Sequence, residues 1–525
     1  MAWGKSPNRP PRELTGNGVA PVNDLFEMLQ RHQEAEDAQL LATPVLAELL
    51  RQAESGDRQA QLRFISELYK LEKEWHHELS LNYSKKYGAS GNAQAQYLAG
   101  LWLYKSEGVT NGYRSSVDWF RKAAEQGHRE AQYSLGVCYF RGDGVDKDLA
   151  EAGKWIRKAA EQGLAHAQGL LGCMCQEGQG LPKDPTEALK WLRLAVAQGD
   201  SLGQVGLGCA YSQGAGVNKD MAEAWKWLRM AADQGSSRAQ LLIGKFHRDG
   251  EGAPKNAAEA AKWFRKAAEQ GDALAQVSLG YAYWKGEGVA IDYAAAFRWF
   301  TAAAGTADGQ RNLGTLYYLG EGVTKDYAQA VKFYRFAADQ GDAQAQVRLG
   351  QMYYAGEGVP KDFPEAAKWF KSAAEKGDAD GQYGLGCLYF TGEGVPQDYA
   401  QAAQWFRRGA EQGNAVSQSD LGYLYHEGKG VTKEYVEAVK WFRKAATQGL
   451  ALGQQNLAEC YRDGTGVPKD EIEAYALYNL AGATEEEARK ERDLLAKGFS
   501  PEARLRAQQR SKEIQGEFDS AKTAK

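Results

Sequence analysis

"GEGVPKDFPEAAKWF", residues 356–370, sets two glycines around a carboxylate, then a Lys-Asp pair, then an aromatic pair. The stretch recurs as "GEGVAIDYAAAFRWF" from Gly286, "GEGVTKDYAQAVKFY" from Gly320 and "GEGVPQDYAQAAQWF" from Gly392. Two readings compete: a loop that cradles phosphate, or a turn that joins helices. Glycines ahead of a helix N-terminus do bind anions. A P-loop, however, needs G-x-x-x-x-G-K-[ST], and a dinucleotide site needs a strand before G-x-G-x-x-G. Neither pattern occurs, and a carboxylate in nearly every copy would repel phosphate. The stretch is a turn followed by a helix start.

The period confirms that reading. The glycines of successive "LG" pairs are Gly136, Gly172, Gly208, Gly244, Gly280, Gly314, Gly350, Gly386 and Gly422. Each step is 36 residues except that from Gly280 to Gly314, which is 34 because "AAAGTADGQ" is two residues short. An aromatic series from Trp119 to Trp441 keeps the same beat, and Gly100 and Ala458 as outer slots bring the copies to eleven. A fixed period of this size predicts one solenoid.

Each copy holds two predicted helices. Ala345, Leu349 and Tyr353 recur every four residues along the first, while Ala366, Ala367, Trp369, Phe370, Ala373 and Ala374 form the apolar side of the second. Asp362 stands as N-cap, and Glu365 three residues on predicts a capping box. The same spacing gives Asp148/Glu151, Asp184/Glu187, Asp220/Glu223, Asp326/Gln329, Asp398/Gln401 and Asp470/Glu473. The fold class expected is all-α, a solenoid of paired helices.

Net charge of -4 and pI near 6.1, with both signs interleaved, give no general attraction to nucleic acid or an anionic membrane. No apolar run approaches the roughly 20 residues of a membrane span, and "MAWGKSPNRPPRELTGNG" lacks the apolar core of a signal peptide, so a cytoplasmic location is expected. Residues 1–22 are expected to be a disordered tail, 23–92 a helical region with one degenerate copy, 93–482 the repeats and 483–525 capping helices and tail. Cys138, Cys173, Cys175, Cys209, Cys387 and Cys460 form no CxxC pair and are expected as small apolar residues. No G-x-S-x-G, S-x-x-K or H-E-x-x-H occurs and the seven histidines are scattered, so no catalytic residue, metal or cofactor is expected.

The pattern A-x-A-Q-x-x-L-G-x-x-Y-x-x-G-x-G-V-x-x-D-x-x-x-A-x-x-W-x-x-x-A-A-x-Q-G resembles the Sel1-like repeat family, relatives of the tetratricopeptide repeats, over residues 93–482. "EIEAYALYNLAGATEEEARKERDLLAKGFSPEARLRAQQRSKEIQ" is similar to the end of many bacterial members. The resemblance implies a right-handed α/α solenoid that acts as a non-catalytic scaffold or adaptor for a protein partner whose identity is not encoded in the repeats. Alternatives within it are an immunity or accessory protein of a bacterial secretion system and, further off, a hydrolase related to cysteine-rich β-lactam-degrading members. The last have a cysteine pair in each repeat, which is missing here.

By analogy with tetratricopeptide grooves, the first helices line a concave face. Its slots lie three before, one after and four after the "LG" glycine. They hold Val277, Tyr281 and Trp284; Arg311, Thr315 and Tyr318; Val347, Gln351 and Tyr354; Tyr383, Cys387 and Phe390; and Ser419, Tyr423 and His426. Aromatics and arginine anchor interfaces. Two readings stay open for these side chains: contact with a partner segment, or packing between neighbouring first helices.

Overall fold

In a computed structural model of the protein, residues 44–70, 74–105 and 112–523 are described. The tail assigned to residues 1–22, and the beginning of the 23–92 region, lie outside them. Of the described residues 75% are helical, and no strand occurs among them. It divides into two compact units, one ending at Gln234 and the other starting at Gly235.

Among the described residues, the first unit begins with helices Pro44–Glu54, Arg58–Lys70 and Glu74–Ala89. Helix pairs follow, from Ala93–Lys105 with Gly112–Glu125 to Ser201–Gln213 with Met221–Asp233. The second unit runs from Ser237–Asp249 with Ala257–Glu269 to Ala451–Asp463 with Glu471–Ala481, then Glu486–Lys497 and Pro501–Thr523. The two-residue shortening falls on a second helix: Tyr293–Ala302 has 10 residues where Tyr327–Asp339 and Phe363–Glu375 have 13.

The "LG" glycine is a packing requirement. A Cβ on Gly350 would come within 2.9 Å of the Phe370 ring, and one on Gly244 within 2.5 Å of Phe264. The residue after each tryptophan is therefore the deeper anchor: Phe264 is 3% exposed and Phe300 0%. Trp263, at 6%, covers it. In the turn, Gly356 and Gly358 have φ of 77° and 71°, the left-handed region. A Cβ on Gly358 would also overlap the Tyr327 carbonyl, at the start of the preceding repeat's second helix. The turn is thus an inter-repeat contact as well as a reversal.

Asp362 caps helix Phe363–Glu375, its carboxylate accepting from the Glu365 N–H at 2.9 Å. The reciprocal half of the expected capping box is not made. The Asp362 N–H donates instead to the Tyr353 carbonyl, 3.0 Å away, as Asp184 does to Cys175 and Asp398 to Tyr389. With the cap N–H occupied by the preceding helix, Glu365 accepts from Trp369 Nε1 at 2.9 Å, and Glu187 from Trp191 Nε1 at 3.2 Å.

A glutamine ladder runs through both units. Gln418 is 4% exposed; its Nε2 donates to the Ala410 carbonyl at 3.0 Å, and its Oε1 accepts from Gln448 at 2.8 Å. Gln132 with Gln162, Gln168 with Gln198 and Gln382 with Gln412 repeat this at a separation of 30. Buried amides satisfied in this way fix the stacking register, because a slipped repeat would leave them unpaired. Gln61 in the degenerate copy makes the same bond to Ala53 O, 3.1 Å.

Candidate partner-binding face

The five first helices that carry the candidates are held by caps at both ends. Asp272, Thr306, Asp342, Asp378 and Asn414 accept from first-turn N–H groups, and a left-handed glycine closes each C-terminus. The fifteen slot side chains therefore stand on rigid supports, but their environments differ by slot.

Three residues before the glycine, the slot faces inward. Val347 is 5% exposed and belongs to the core with Leu349 and Met352. Its expected exposure is corrected: it is enclosed in a core that neighbouring helices share. Val277 is half-buried against the cluster of Phe300 and Leu313. Arg311 is clamped, donating to Asp308 at 2.6 Å and to Asp342, the cap of the next first helix, at 2.8 Å. Tyr383 lies beside Cys387 and Asp420; burial first, then these neighbours, pushes its phenol up. Burial pushes the Cys387 thiol up to about 12 and the Asp420 carboxyl up to about 6.

One residue after the glycine, the slot opens. Tyr281 is 41% exposed, Tyr423 38%, and Gln351 is exposed too. Thr315 and Cys387 are the exceptions, both half-buried. The Thr315 hydroxyl accepts from the buried Tyr334 at 3.0 Å and donates to the Arg311 carbonyl.

Four residues after the glycine, the side chain lies at the seam between repeats. Tyr354 stacks edge-on against Phe363 of its own second helix, centroids 5.2 Å apart, and donates to Glu393 in the next turn at 2.8 Å. Trp284 donates to Glu321 in the same way, and Tyr104 to Asp143 at 2.7 Å. Burial and then a hydrogen bond to Glu357 hold the Tyr318 phenol above its usual range. Phe390 has no donor, and there the turn carries Lys429, whose Nζ lies 5.9 Å from the ring centre. His426 packs edge-on against Tyr435 and contacts Glu427 at 2.8 Å. The acid of "GEG", silent in the sequence reading, is thus a partner for a side chain of the preceding repeat, at a separation of 39 for Tyr354 and Glu393.

The pair of Arg248 and Glu287 is among those that depart from this rule. Arg248 holds the seam position but forks onto Asp249, at 2.8 and 2.9 Å, so Glu287 receives no hydrogen bond and acts on Arg248 only as a nearby charge. Beside it lies a pocket of about 270 Å³ lined by Phe264, Val277, Tyr281, Glu287 and Arg311. It brings together three of the sequence candidates. Phe264 and Glu287 were missed: one reads as core and the other as turn, and only packing unites them.

Among the described residues, no group of three His, Cys, Asp or Glu side chains is placed to hold a metal ion. None of their helices is long and apolar enough to cross a membrane. None of the six cysteines is in a disulfide, and Cys138, Cys175 and Cys460 are buried.

Paired helices on a fixed beat, with buried ladders and turns tuned to neighbours, define an α/α repeat protein. The family model for the Sel1 repeat matches eleven consecutive segments from 93–128 to 451–483, and the chain belongs to the Sel1 repeat family. Repeats of this family form scaffolds for protein–protein interaction. A protective antigen of uropathogenic Escherichia coli strains, displaying this repeat fold, is similar at 36% identity and TM-score 0.59, over 83% of this chain and 95% of that one. A Sel1 repeat protein from Oxalobacter formigenes is 35% identical, over 62% of this chain and 93% of that one, with TM-score 0.43. An immunity protein from Pseudomonas aeruginosa, at 22% identity and TM-score 0.32, covers 41% of this chain and 82% of its own; that likeness carries no functional argument. No curated protein matches the chain.

Proposed function

We propose that the protein is a non-catalytic adaptor that holds a segment of a partner protein against the first helices of its second unit, between Val277 and His426. The pocket formed by Val277, Tyr281 and Arg311 over Phe264 carries this reading. It draws lining from successive repeats, has an apolar floor and a polar rim, and so suits one anchoring side chain. Tyr281, Tyr354 and Tyr423, each more than a third exposed, continue the same face with aromatic groups of the kind that dominate interface energetics. Val347 and Thr315 support this face from below, and Arg311 fixes its register.

A photo-crosslinking residue in place of Tyr281 or Tyr423 tests the assignment, with Phe336 as control. Phe336 is 51% exposed on a second helix. In the native host, Tyr281 and Tyr423 are expected to trap one common partner and Phe336 none. Adducts confined to Phe336, or shared equally by all three sites, would overturn it.

A further inference from the structure

The last helix buries Ala507, Ser511, Ile514 and Phe518, a strip at helical spacing. The Arg510 fork onto Glu473, at 2.7 and 3.1 Å, sets its register on helix Glu471–Ala481. This docking leaves a cleft of about 1130 Å³ between Glu471–Ala481, Glu486–Lys497 and Pro501–Thr523.

The cleft is cationic in a chain whose net charge is -4. Arg492, Lys497, Arg504 and Lys512 line it, against the single carboxylate of Asp493. Asp493 is already engaged by Arg492 at 2.7 Å. Arg504 donates to the Ala496 carbonyl, which leaves its charge uncompensated. Lys497 and Lys512 make no hydrogen bond or ion pair with any described residue. Elsewhere lysines have glutamates one turn away, as in Lys154–Glu151 and Lys440–Glu437. The cleft also has apolar ground: Leu480 at its side, and Leu505, 68% exposed, at its mouth.

We propose that this cleft binds an acidic polypeptide segment, its carboxylates meeting Lys497, Lys512 and Arg504 and an aliphatic side chain covering Leu480 and Leu505. Charge complementarity selects the occupant, and the exposed leucine favours a peptide over a nucleic-acid strand, which would stack on aromatic faces: the aromatic ring in the lining, Tyr475, is 7% exposed and packed on Phe499. The site is separate from the first-helix face, so each assignment stands or fails alone.

Fluorescence anisotropy on the full chain tests it with three probes: a short labelled peptide of alternating glutamate and leucine, its glutamine counterpart, and single-stranded oligothymidine. The acidic peptide is expected to bind, with affinity falling about tenfold or more when Lys497→Glu and Lys512→Glu are combined, and falling again with added salt. Both lysines are exposed, so circular dichroism should show an unchanged fold. Leu505→Ser should weaken the acidic peptide without altering the salt dependence. Absence of acidic-peptide binding, equal binding of the glutamine peptide, indifference to the double charge reversal, or tighter binding of oligothymidine would each overturn the proposal.

Discussion

The Tyr354 hydroxyl donates to Glu393 across 2.8 Å, tying one repeat's first helix to the glycine turn of the next. Where the ring has no hydroxyl, as at Phe390, the turn offers Lys429 in place of an acid. Seam and turn are therefore chemically matched, and the match can be exchanged. Lys429→Glu alone should lower stability by roughly 0.5–1 kcal/mol, and adding Phe390→Tyr should recover most of that loss. A double-mutant cycle in urea reads the coupling. Additive effects of the two changes would refute the match.

Gly358 and Gly377 both have positive φ, at 71° and 89°. Only Gly358 lies against a neighbour, since a Cβ on Gly377 meets nothing within 4 Å. Gly377→Ala should therefore cost about 1–2 kcal/mol of backbone strain. Gly358→Ala should cost about 2–4 kcal/mol, because the Tyr327 backbone must also move. Urea midpoints for the two variants give the comparison.

The glutamine ladder has a gap that can be filled. Gln346 donates to the Ala338 carbonyl at 3.0 Å, but its Oε1 has no partner, because position 376 carries lysine. Lys376 reaches only the Gly341 carbonyl, at 2.7 Å. Gln448, in the equivalent place, bonds both the Gly413 carbonyl and Gln418. Lys376→Gln should therefore stabilise the chain by about 1 kcal/mol, while Gln418→Ala should cost about 1–3 kcal/mol. Thermal melts of both variants decide the point.

Asp420 makes stability depend on pH. Burial raises its carboxyl to about 6, with the Tyr383 hydrogen bond pulling the other way. An unfolded aspartate titrates near about 3.9. The folded chain therefore holds a proton that the unfolded chain has released, and this contribution is complete below about pH 4 and lost as pH rises through 6. Tyr383 and Cys387 are the titratable neighbours. Asp420→Asn should melt higher than the native chain at pH 7.5, and the difference should vanish towards pH 4. An unvarying difference across that range would contradict the assignment.

The beat, both helices, the aspartate caps and the turn glycines were legible because each is a local requirement repeated many times. Pairings across repeats were not. The N–H of Asp362 goes to Tyr353, a tertiary bond that no capping pattern announces. Glu393 and Tyr354 are each unremarkable until stacking sets them side by side. The groove slots rest on analogy with tetratricopeptide grooves and on helical phase, which cannot separate open Tyr281 from enclosed Val347, since neighbouring helices decide burial. Glutamine at the ladder positions was visible as a pattern, but its role depends on a partner 30 residues away.

The central claim is that the repeat beat is scaffolding and that the side chains it leaves free carry recognition. Combining Tyr281→Ala, Gln351→Ala and Tyr423→Ala tests it most directly, with melting and partner capture measured on the same protein beside Trp263→Ala. The triple variant should melt within about 2 °C of the native chain yet lose capture, whereas Trp263→Ala should cost roughly 3–5 kcal/mol. Undiminished capture by the triple variant, or a collapse of its melting to match Trp263→Ala, would contradict the account.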